Sequence, residues 1–148
     1  MKKRYSMNLD YDAPLGNTYS EFMENLKEEK ILGNKCTKCN RVYVPARPFC
    51  DICCEDTGKP FVVDSDAHVV AYTVYCIESL NLPKPPFAQA MIKIGDSANS
   101  FLHFLGGIEY KDAEDLNNKI KIGMKVKPVW AKNKNGDILD IQYFTPAL

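Results

Sequence analysis

The segment Cys36-Thr37-Lys38-Cys39 is followed ten residues later by Cys50-Asp51-Ile52-Cys53, which gives two C-x2-C pairs. Two residues between cysteines allow one tight turn to aim both sulfurs at the same point. Two such turns supply four thiolates, the tetrahedral shell that zinc takes in structural sites. A shell closed by four cysteines leaves no position for water or substrate. The pattern therefore predicts a structural metal site made of Cys36, Cys39, Cys50 and Cys53.

Two disulfides or four free core thiols are the alternatives to a metal. Disulfides persist in oxidising compartments, and the basic N-terminus 1–10 lacks the apolar run of a signal peptide. We therefore expect a cytoplasmic chain, in which paired cysteines favour metal binding. A rubredoxin-like iron centre uses the same four thiolates, so the sequence leaves zinc and iron both open.

The composition places the chain among ordinary globular proteins. It has 148 residues, of which 45% are hydrophobic and 26% charged, enough for one domain or two small ones. Its 19 basic and 19 acidic side chains cancel, which argues against non-specific nucleic-acid binding. No apolar segment approaches the roughly 18 residues that span a membrane.

A helix is predicted to begin at Asn17-Thr18, where Thr18 and Glu21 would form a capping box, and to end before Gly33. Its apolar side chains recur at helical spacing and share one face: Tyr19, Phe22, Met23 and Leu26. A small metal module has little core to cover this face, which favours docking on a partner. Docking on the chain's own metal module is the alternative.

From Ala67 onward the pattern is that of β-structure, with a short helical turn at 112–117. The predicted strands are 68–77, 87–94, 100–105, 119–132 and 138–144, the last two joined by a hairpin turn at Asn135-Gly136. Five strands with a helical insertion between the third and fourth suit a small antiparallel OB-type barrel. Successive side chains of a strand point to opposite faces of the sheet. In the first strand we therefore expect one face to hold Val70, Tyr72 and Val74, and the other to hold Val69, Ala71 and Thr73.

The predicted fold class is therefore mainly β, with three regions along the chain. Residues 1–16 are expected to form an extended arm, and 17–62 a helix with a four-cysteine ribbon. Residues 63–148 are expected to form the OB-fold domain.

The order of several motifs resembles the DUF35 family over residues 18–146. The helix and cysteine pairs, with Pro45-Ala46-Arg47-Pro48 between the pairs, precede three further segments: His68 to Val74, Pro86 to Ile92 and Ile122 to Val126. The resemblance implies a rubredoxin-like zinc ribbon followed by an acyl-CoA-associated OB fold. It also implies an accessory subunit of thiolases, thiolase-like synthases, related aldolases or hydratases. Asn40 and Cys54 stand where the family often has Gly, and Cys adopts the left-handed conformation poorly, so the second cysteine turn is expected to be less regular.

No catalytic residue is predicted. Cys54 is interpreted as a packed or solvent-facing thiol and Cys76 as a buried core cysteine of an apolar strand. A nucleophile pairing Cys76 with His68 or His103 lacks a visible acid-base partner and oxyanion donor. Six lysines occur between 119 and 134 with no acidic residue among them: Lys119, Lys121, Lys125, Lys127, Lys132 and Lys134. A solvated face is the favoured interpretation, and contact with the phosphates of CoA or of nucleic acid is the alternative.

The cysteine pattern and the lack of a visible catalytic group, together with what the resemblance implies, predict a zinc-binding subunit that is not catalytic alone. The resemblance places it in an acyl-CoA-processing hetero-oligomer with a thiolase-type partner. The apolar helix face and the Pro-rich loop 79–87 are the expected docking surfaces. The alternatives are a nucleic-acid-binding ribbon and OB protein, or an iron-containing electron carrier. Replacing Cys39 with Ser is expected to unfold residues near 34–58 while the barrel persists.

Overall fold

A computed structural model describes residues 3, 5, 9, 11–64, 66–79 and 82–147. The chain forms a helix, a small sheet and a closed barrel of five strands, which confirms the predicted fold class. The first part contains α1 (Gly16–Leu26), β1 (Leu32–Lys35), β2 (Val42–Tyr43) and β3 (Phe61–Val62). The barrel contains β4 (Ala67–Tyr75), β5 (Phe87–Ile94), β6 (Phe101–Leu105), α2 (Ala113–Lys119), β7 (Lys125–Trp130) and β8 (Ile141–Pro146).

Strands of the barrel follow the order β4-β5-β6-β8-β7, and β7 closes on β4. All these pairs are antiparallel except β6 and β8, which are parallel where Leu105 meets Phe144. The expectation of a wholly antiparallel barrel is therefore wrong at this junction. The connection through α2 carries the chain to β7, and β8 then returns beside β6 in the same direction. Neither described helix has the length and apolar composition that crossing a membrane requires.

Alternation along β4 is interrupted by a bulge between Val69 and Ala71. Val69 is buried, and beyond the bulge Tyr72 and Val74 pack against the core while Ala71 and Thr73 are exposed. The prediction that Val69 shares a face with Ala71 and Thr73 is therefore wrong. A bulge inserts one extra residue and moves the following side chains to the opposite face.

Helix α1 differs from its prediction at both ends. It begins at Gly16 behind Leu15, with no side-chain cap, so the capping box of Thr18 and Glu21 does not form. It ends at Leu26, and Gly33 lies instead in β1. A Cβ at Gly33 would stand 2.8 Å from the Val63 side chain, which explains the glycine by close packing rather than by helix termination. The expected arm lies partly outside the described residues, and 11–15 are exposed and irregular.

Two connections in the barrel also differ from the prediction. The segment 119–132 is not one strand, because α2 extends to Lys119 and β7 begins only at Lys125. Asn135-Gly136 does not form a two-residue hairpin, because residues 131–140 all lie between β7 and β8. The buried carboxylate of Asp140 accepts hydrogen bonds from the backbone N–H groups of 135–137 and organises this loop. Residues Ile138–Asp140 form a 3₁₀ turn ahead of β8.

A single hydrophobic cluster joins the sheet, the helix and the barrel. Ile31, Leu32 and Val44 from the first part belong to the same buried cluster as Ile92 and Phe144 from the barrel. Phe22 and Leu26 of α1 are fully buried in it, and Phe22 meets Phe101 edge-on with ring centroids 6.5 Å apart. The interpretation that these two side chains dock on a partner is therefore wrong: the chain's own core covers them.

Asn99, in the turn between β5 and β6, fastens the small sheet to the barrel. Its side-chain oxygen accepts from the Val44 backbone N–H at 2.9 Å, and its amide donates to the Val44 carbonyl at 2.7 Å. The Ala98 backbone N–H also donates to the Val42 carbonyl at 2.7 Å. The turn thus occupies the outer edge of β2 as a further strand would.

Candidate metal centre

Each cysteine pair lies in a turn with the same backbone geometry. In the first, the Asn40 N–H donates to the Cys36 carbonyl at 3.1 Å, and Asn40 is left-handed with φ 61°. In the second, the Cys54 N–H donates to the Cys50 carbonyl at 3.0 Å, and Cys54 is left-handed with φ 54°. The expectation of a less regular second turn is therefore wrong. Cys54 adopts the required conformation although its side chain disfavours it.

These two turns bring the four cysteine sulfurs together. All four Sγ atoms lie within 4.8 Å of one another, and the Cys39 and Cys50 sulfurs are 3.7 Å apart. Four sulfurs around a tetrahedral zinc, at about 2.3 Å each, would stand about 3.8 Å apart. Cys36 and Cys50 are buried, whereas Cys39 and Cys53 lie nearer the surface. The donor set and its spacing therefore fit zinc.

Backbone N–H groups are directed at two of the sulfurs. The Cys39 N–H donates to Cys36 Sγ and the Cys53 N–H to Cys50 Sγ, each at 3.4 Å. Such bonds favour the thiolate, which is the form that binds a metal. The site is thus prepared for negative charge by the turns themselves.

Proton affinities in the cluster also point to a cation. A hydrogen bond with the Cys39 sulfur, followed by burial, raises the pKa of Cys53 to about 12. A thiolate at Cys53 beside another thiolate is therefore unfavourable until a cation shares the space.

A polar group beside Cys50 was not predicted from the sequence. The Tyr43 hydroxyl lies 3.1 Å from Cys50 Sγ and donates to Asp51 Oδ1 at 2.5 Å. Asp51 raises the pKa of Tyr43 above its usual range, and Tyr43 in turn lowers the pKa of Asp51. Arg47 lies over the Tyr43 ring, 5.4 Å from its centroid, and 3.9 Å from Asp51. In the sequence, the four-residue spacing of Arg47 and Asp51 is the one local signal for the contact between Tyr43, Asp51 and Arg47.

The remaining candidate residues are not assembled into a nucleophilic site. Cys54 and Cys76 are exposed. The interpretation of Cys76 as a buried core cysteine is therefore wrong, because β4 ends at Tyr75 and Cys76 lies beyond the strand. His103 is buried, with Nε2 3.2 Å from the Ile138 carbonyl and Nδ1 accepting from the Phe104 N–H at 2.9 Å. His68 lies opposite Lys93, across β5 from the strand that holds His103. The structure therefore offers no Cys76–His103 pair.

Half of the six lysines predicted as a solvated face are held by carboxylates. Lys119 pairs with Asp115 at 3.0 Å, Lys125 with Asp66 at 2.8 Å and Lys134 with Glu29 at 3.0 Å. The other three, Lys121, Lys127 and Lys132, are exposed and have no carboxylate within 4.0 Å in the described part of the chain.

Comparison with known proteins agrees with this geometry. Residues 23–58 match the family model described as ChsH2, rubredoxin-like zinc ribbon domain. A DUF35 family protein of unknown function from Sulfolobus solfataricus is similar at 29% identity, over 77% of this chain and 78% of its own, with a TM-score of 0.61. The structure described as Ltp2-ChsH2(DUF35) aldolase is similar at 21% identity, over 98% of this chain and 100% of the matched chain, with a TM-score of 0.63.

No curated protein matches the chain in sequence. The two solved structures nevertheless cover the ribbon and the barrel together, so the likeness is not confined to the cysteine turns. The resemblance indicated by the motif order is therefore confirmed: residues 23–58 match the ChsH2 rubredoxin-like zinc ribbon model, and the chain has the fold of DUF35 proteins.

Proposed function

We propose that this chain is a zinc-binding, non-catalytic OB-fold subunit of an acyl-CoA-processing complex, with a thiolase-type enzyme as its catalytic partner. The observation that carries the proposal is the match over nearly the whole chain to a structure described as the Ltp2-ChsH2(DUF35) aldolase. That description names a DUF35 chain together with a second component. The motif order adds the expectation of acyl-CoA chemistry.

Zinc is the metal proposed for Cys36, Cys39, Cys50 and Cys53. The sulfur spacing fits its radius and the matched family is a zinc ribbon. When bound, zinc supplies cross-linking of the two turns, because four protein ligands leave no position for a reacting molecule. The proposed role is thus structural.

Outside the metal site, the buried side chain of His103 has a structural arrangement and not a catalytic one. The buried ring of His103 is engaged at both nitrogens by the backbone, which leaves neither nitrogen to activate a nucleophile. The catalytic cysteine and histidine are therefore assigned to the partner.

The outer face of the barrel is the surface we propose for the partner. Six neighbouring outward side chains on β4, β5 and β6 carry no charge: Ala71, Thr73, Gln89, Met91, Leu102 and Phe104. Lys93, near the end of β5, is the next outward residue. Leu102 is 58% exposed and Met91 37%. A broad uncharged face of this kind marks interaction sites in globular proteins. We propose this barrel face for docking in place of the apolar face of α1, because the core covers Phe22 and Leu26.

The Pro-rich loop lies next to this face. Pro83 and Phe87 line an apolar cavity of about 400 Å³ together with Phe104, Leu139 and Tyr143. The described part of loop 79–87 is held by the Tyr110 hydroxyl, which donates to the Pro86 carbonyl at 2.6 Å. A loop held in place loses little entropy on association, which favours docking. Lys121, Lys127 and Lys132 are proposed as the contacts for CoA phosphates.

Co-purification of the tagged chain from its native host, with identification of the bound protein, tests the partner. Elemental analysis of the complex is expected to give one zinc per chain. Each subunit is then purified separately and mixed, and carbon–carbon bond cleavage or formation on acyl-CoA is measured. We expect activity only when the partner is present and a loss of partner activity or stability without this chain.

A matched pair of variants tests the docking face. Leu102→Glu places a charge on the proposed face and is expected to abolish complex formation in size-exclusion chromatography. Val62→Glu, at a 51% exposed apolar residue on β3, is expected to leave the complex intact. Activity of this chain alone on acyl-CoA, or a partner that is fully active and stable without it, contradicts the proposal.

The two alternative functions predict different results. An iron site would give the purified protein visible absorbance, whereas a zinc site is colourless. A nucleic-acid-binding protein would be retained on single-stranded DNA with steep salt dependence.

A further inference from the structure

One hydroxyl group lies between two acceptors at the edge of the proposed zinc site. The Tyr43 oxygen is 2.5 Å from Asp51 Oδ1 and 3.1 Å from Cys50 Sγ. Once Cys50 is a metal-bound thiolate, both neighbours accept hydrogen bonds and neither donates one. Tyr43 carries a single hydroxyl proton, so only one neighbour can receive it at a time.

The distances favour the carboxylate. A separation of 2.5 Å lies in the range of charge-assisted O–H···O⁻ bonds. Arg47, 3.9 Å from Asp51 and over the Tyr43 ring, holds the carboxylate and the phenol side by side. Cys50, in contrast, already receives the Cys53 backbone N–H at 3.4 Å.

We propose that Asp51 holds the Tyr43 hydroxyl proton away from the metal-bound sulfur of Cys50, so that Cys50 remains a strong electron donor to the metal. Asp51 is thus a positioning residue that acts through Tyr43 and does not touch the metal. The inference rests on the zinc site of the proposed function and assigns a role to a residue outside the four cysteines.

Removing the carboxylate has a specific consequence in this arrangement. Tyr43 is 1% exposed, so its hydroxyl cannot turn to bulk water. Rotation about the C–O bond directs the proton to Cys50 Sγ instead. A hydrogen bond to a metal thiolate withdraws electron density from sulfur and weakens its donation to the metal.

Cobalt(II) in the full-length chain reports this donation through the sulfur-to-cobalt charge-transfer absorption. Asp51→Ala is expected to shift that band to shorter wavelength, because Cys50 becomes a poorer donor. Tyr43→Phe is expected to leave the band in place, since its hydroxyl does not serve Cys50 in the wild type. The double variant Tyr43→Phe/Asp51→Ala is expected to restore the wild-type band.

Glu55→Ala is the matched control for charge. Glu55 follows the second turn and pairs with Lys38 at 3.3 Å, and no hydrogen bond joins it to Tyr43 in the described residues. This variant removes the same charge two residues beyond Cys53 but leaves the hydroxyl held by Asp51, so no shift is expected. An equal shift in Glu55→Ala and Asp51→Ala would attribute the effect to charge and overturn the inference.

Other outcomes are equally decisive. A shift to longer wavelength in Tyr43→Phe, with none in Asp51→Ala, would show that the hydroxyl serves Cys50 in the wild type and overturn the inference. If Asp51→Ala alters the fold, Asp51→Asn, which keeps the shape but accepts more weakly, is expected to give a smaller shift in the same direction. Failure of the wild-type chain to bind cobalt would instead contradict the proposed zinc site itself. That result differs from the band shifts that test the role of Asp51.

Discussion

Cys54 is a single residue whose backbone conformation opposes its side chain. It has φ 54°, the left-handed region in which a Cβ costs about 1–2 kcal/mol. Cys54→Gly is expected to raise the free energy of unfolding by about 0.5–1 kcal/mol, after the larger entropy of glycine in the unfolded chain is subtracted. Cys54→Ala keeps the Cβ and serves as the control. Equal stability of the two variants in urea unfolding would show that the turn is not strained.

His103 gives the barrel a pH dependence with a definite sign. Burial lowers its pKa below 6.5, so the folded chain keeps the ring neutral at pH values where the unfolded chain protonates it. The stabilisation is fully present above the unfolded pKa of about 6.5 and is lost as the pH falls below it. The loss is at most about 1.4 kcal/mol per pH unit, corresponding to one proton.

Comparison with His103→Gln isolates this effect. Glutamine does not titrate, so the stability advantage of the wild type over this variant is expected to shrink between pH 7.5 and pH 5.5. His68→Gln, on β4, is the control. An advantage that stays constant or grows at low pH would contradict the assignment of a neutral, buried ring.

At the scale of elements, Asn99 determines how β2 ends at the barrel. Val44 is 1% exposed, so its backbone N–H and carbonyl depend on Asn99 for partners. Asn99→Ala leaves both unsatisfied, at about 1–3 kcal/mol for each group. We expect an overall destabilisation of about 2–6 kcal/mol in urea unfolding. Asn118→Ala, at an exposed position in α2, is expected to change stability little, and a similar loss in both variants would argue against this role.

The elements also differ in how far the sequence predicts them. The bounds of β5 were predicted as 87–94 because its inward Ala88, Ala90 and Ile92 alternate without interruption. The sequence does not predict which side chains of β4 face the core, because the bulge at 69–71 depends on pairing with a partner strand. The sequence does not predict the start of α1 either, because Thr18 lies inside the helix and does not cap its N-terminus. Local patterns thus sufficed where no distant contact competed.

The candidate site shows the same division. Both cysteine turns follow from the spacing of two residues, which constrains neighbouring atoms. The contact between Tyr43 and Asp51 requires the second turn to fold back on β2, and no local pattern encodes that contact. The burial of Phe22 and Leu26 likewise depends on the barrel.

For the molecule as a whole, the shared core changes the expected effect of metal loss. From the sequence, the ribbon was expected to unfold alone while the barrel persists, with a boundary between 62 and 63. Ile31, Leu32 and Val44 pack in the same cluster as Ile92 and Phe144 of the barrel, so disordering the ribbon uncovers barrel side chains. The boundary itself remains a prediction. We now expect metal loss to lower the stability of both parts.

Trp130 allows this coupling to be measured, because it is the single tryptophan of the chain and lies on β7 of the barrel. A metal that binds only the folded state at a hundred times its Kd stabilises that state by about 2.7 kcal/mol. If the two parts share one transition, chelation or Cys39→Ser is expected to lower the stability reported by Trp130 fluorescence in urea by a similar amount. Cys76→Ser, at an exposed cysteine outside the four-sulfur cluster, is the matched control and is expected to behave like the wild type. An unchanged Trp130 transition after the metal has been removed would mean that the barrel folds independently, despite the core it shares with the ribbon.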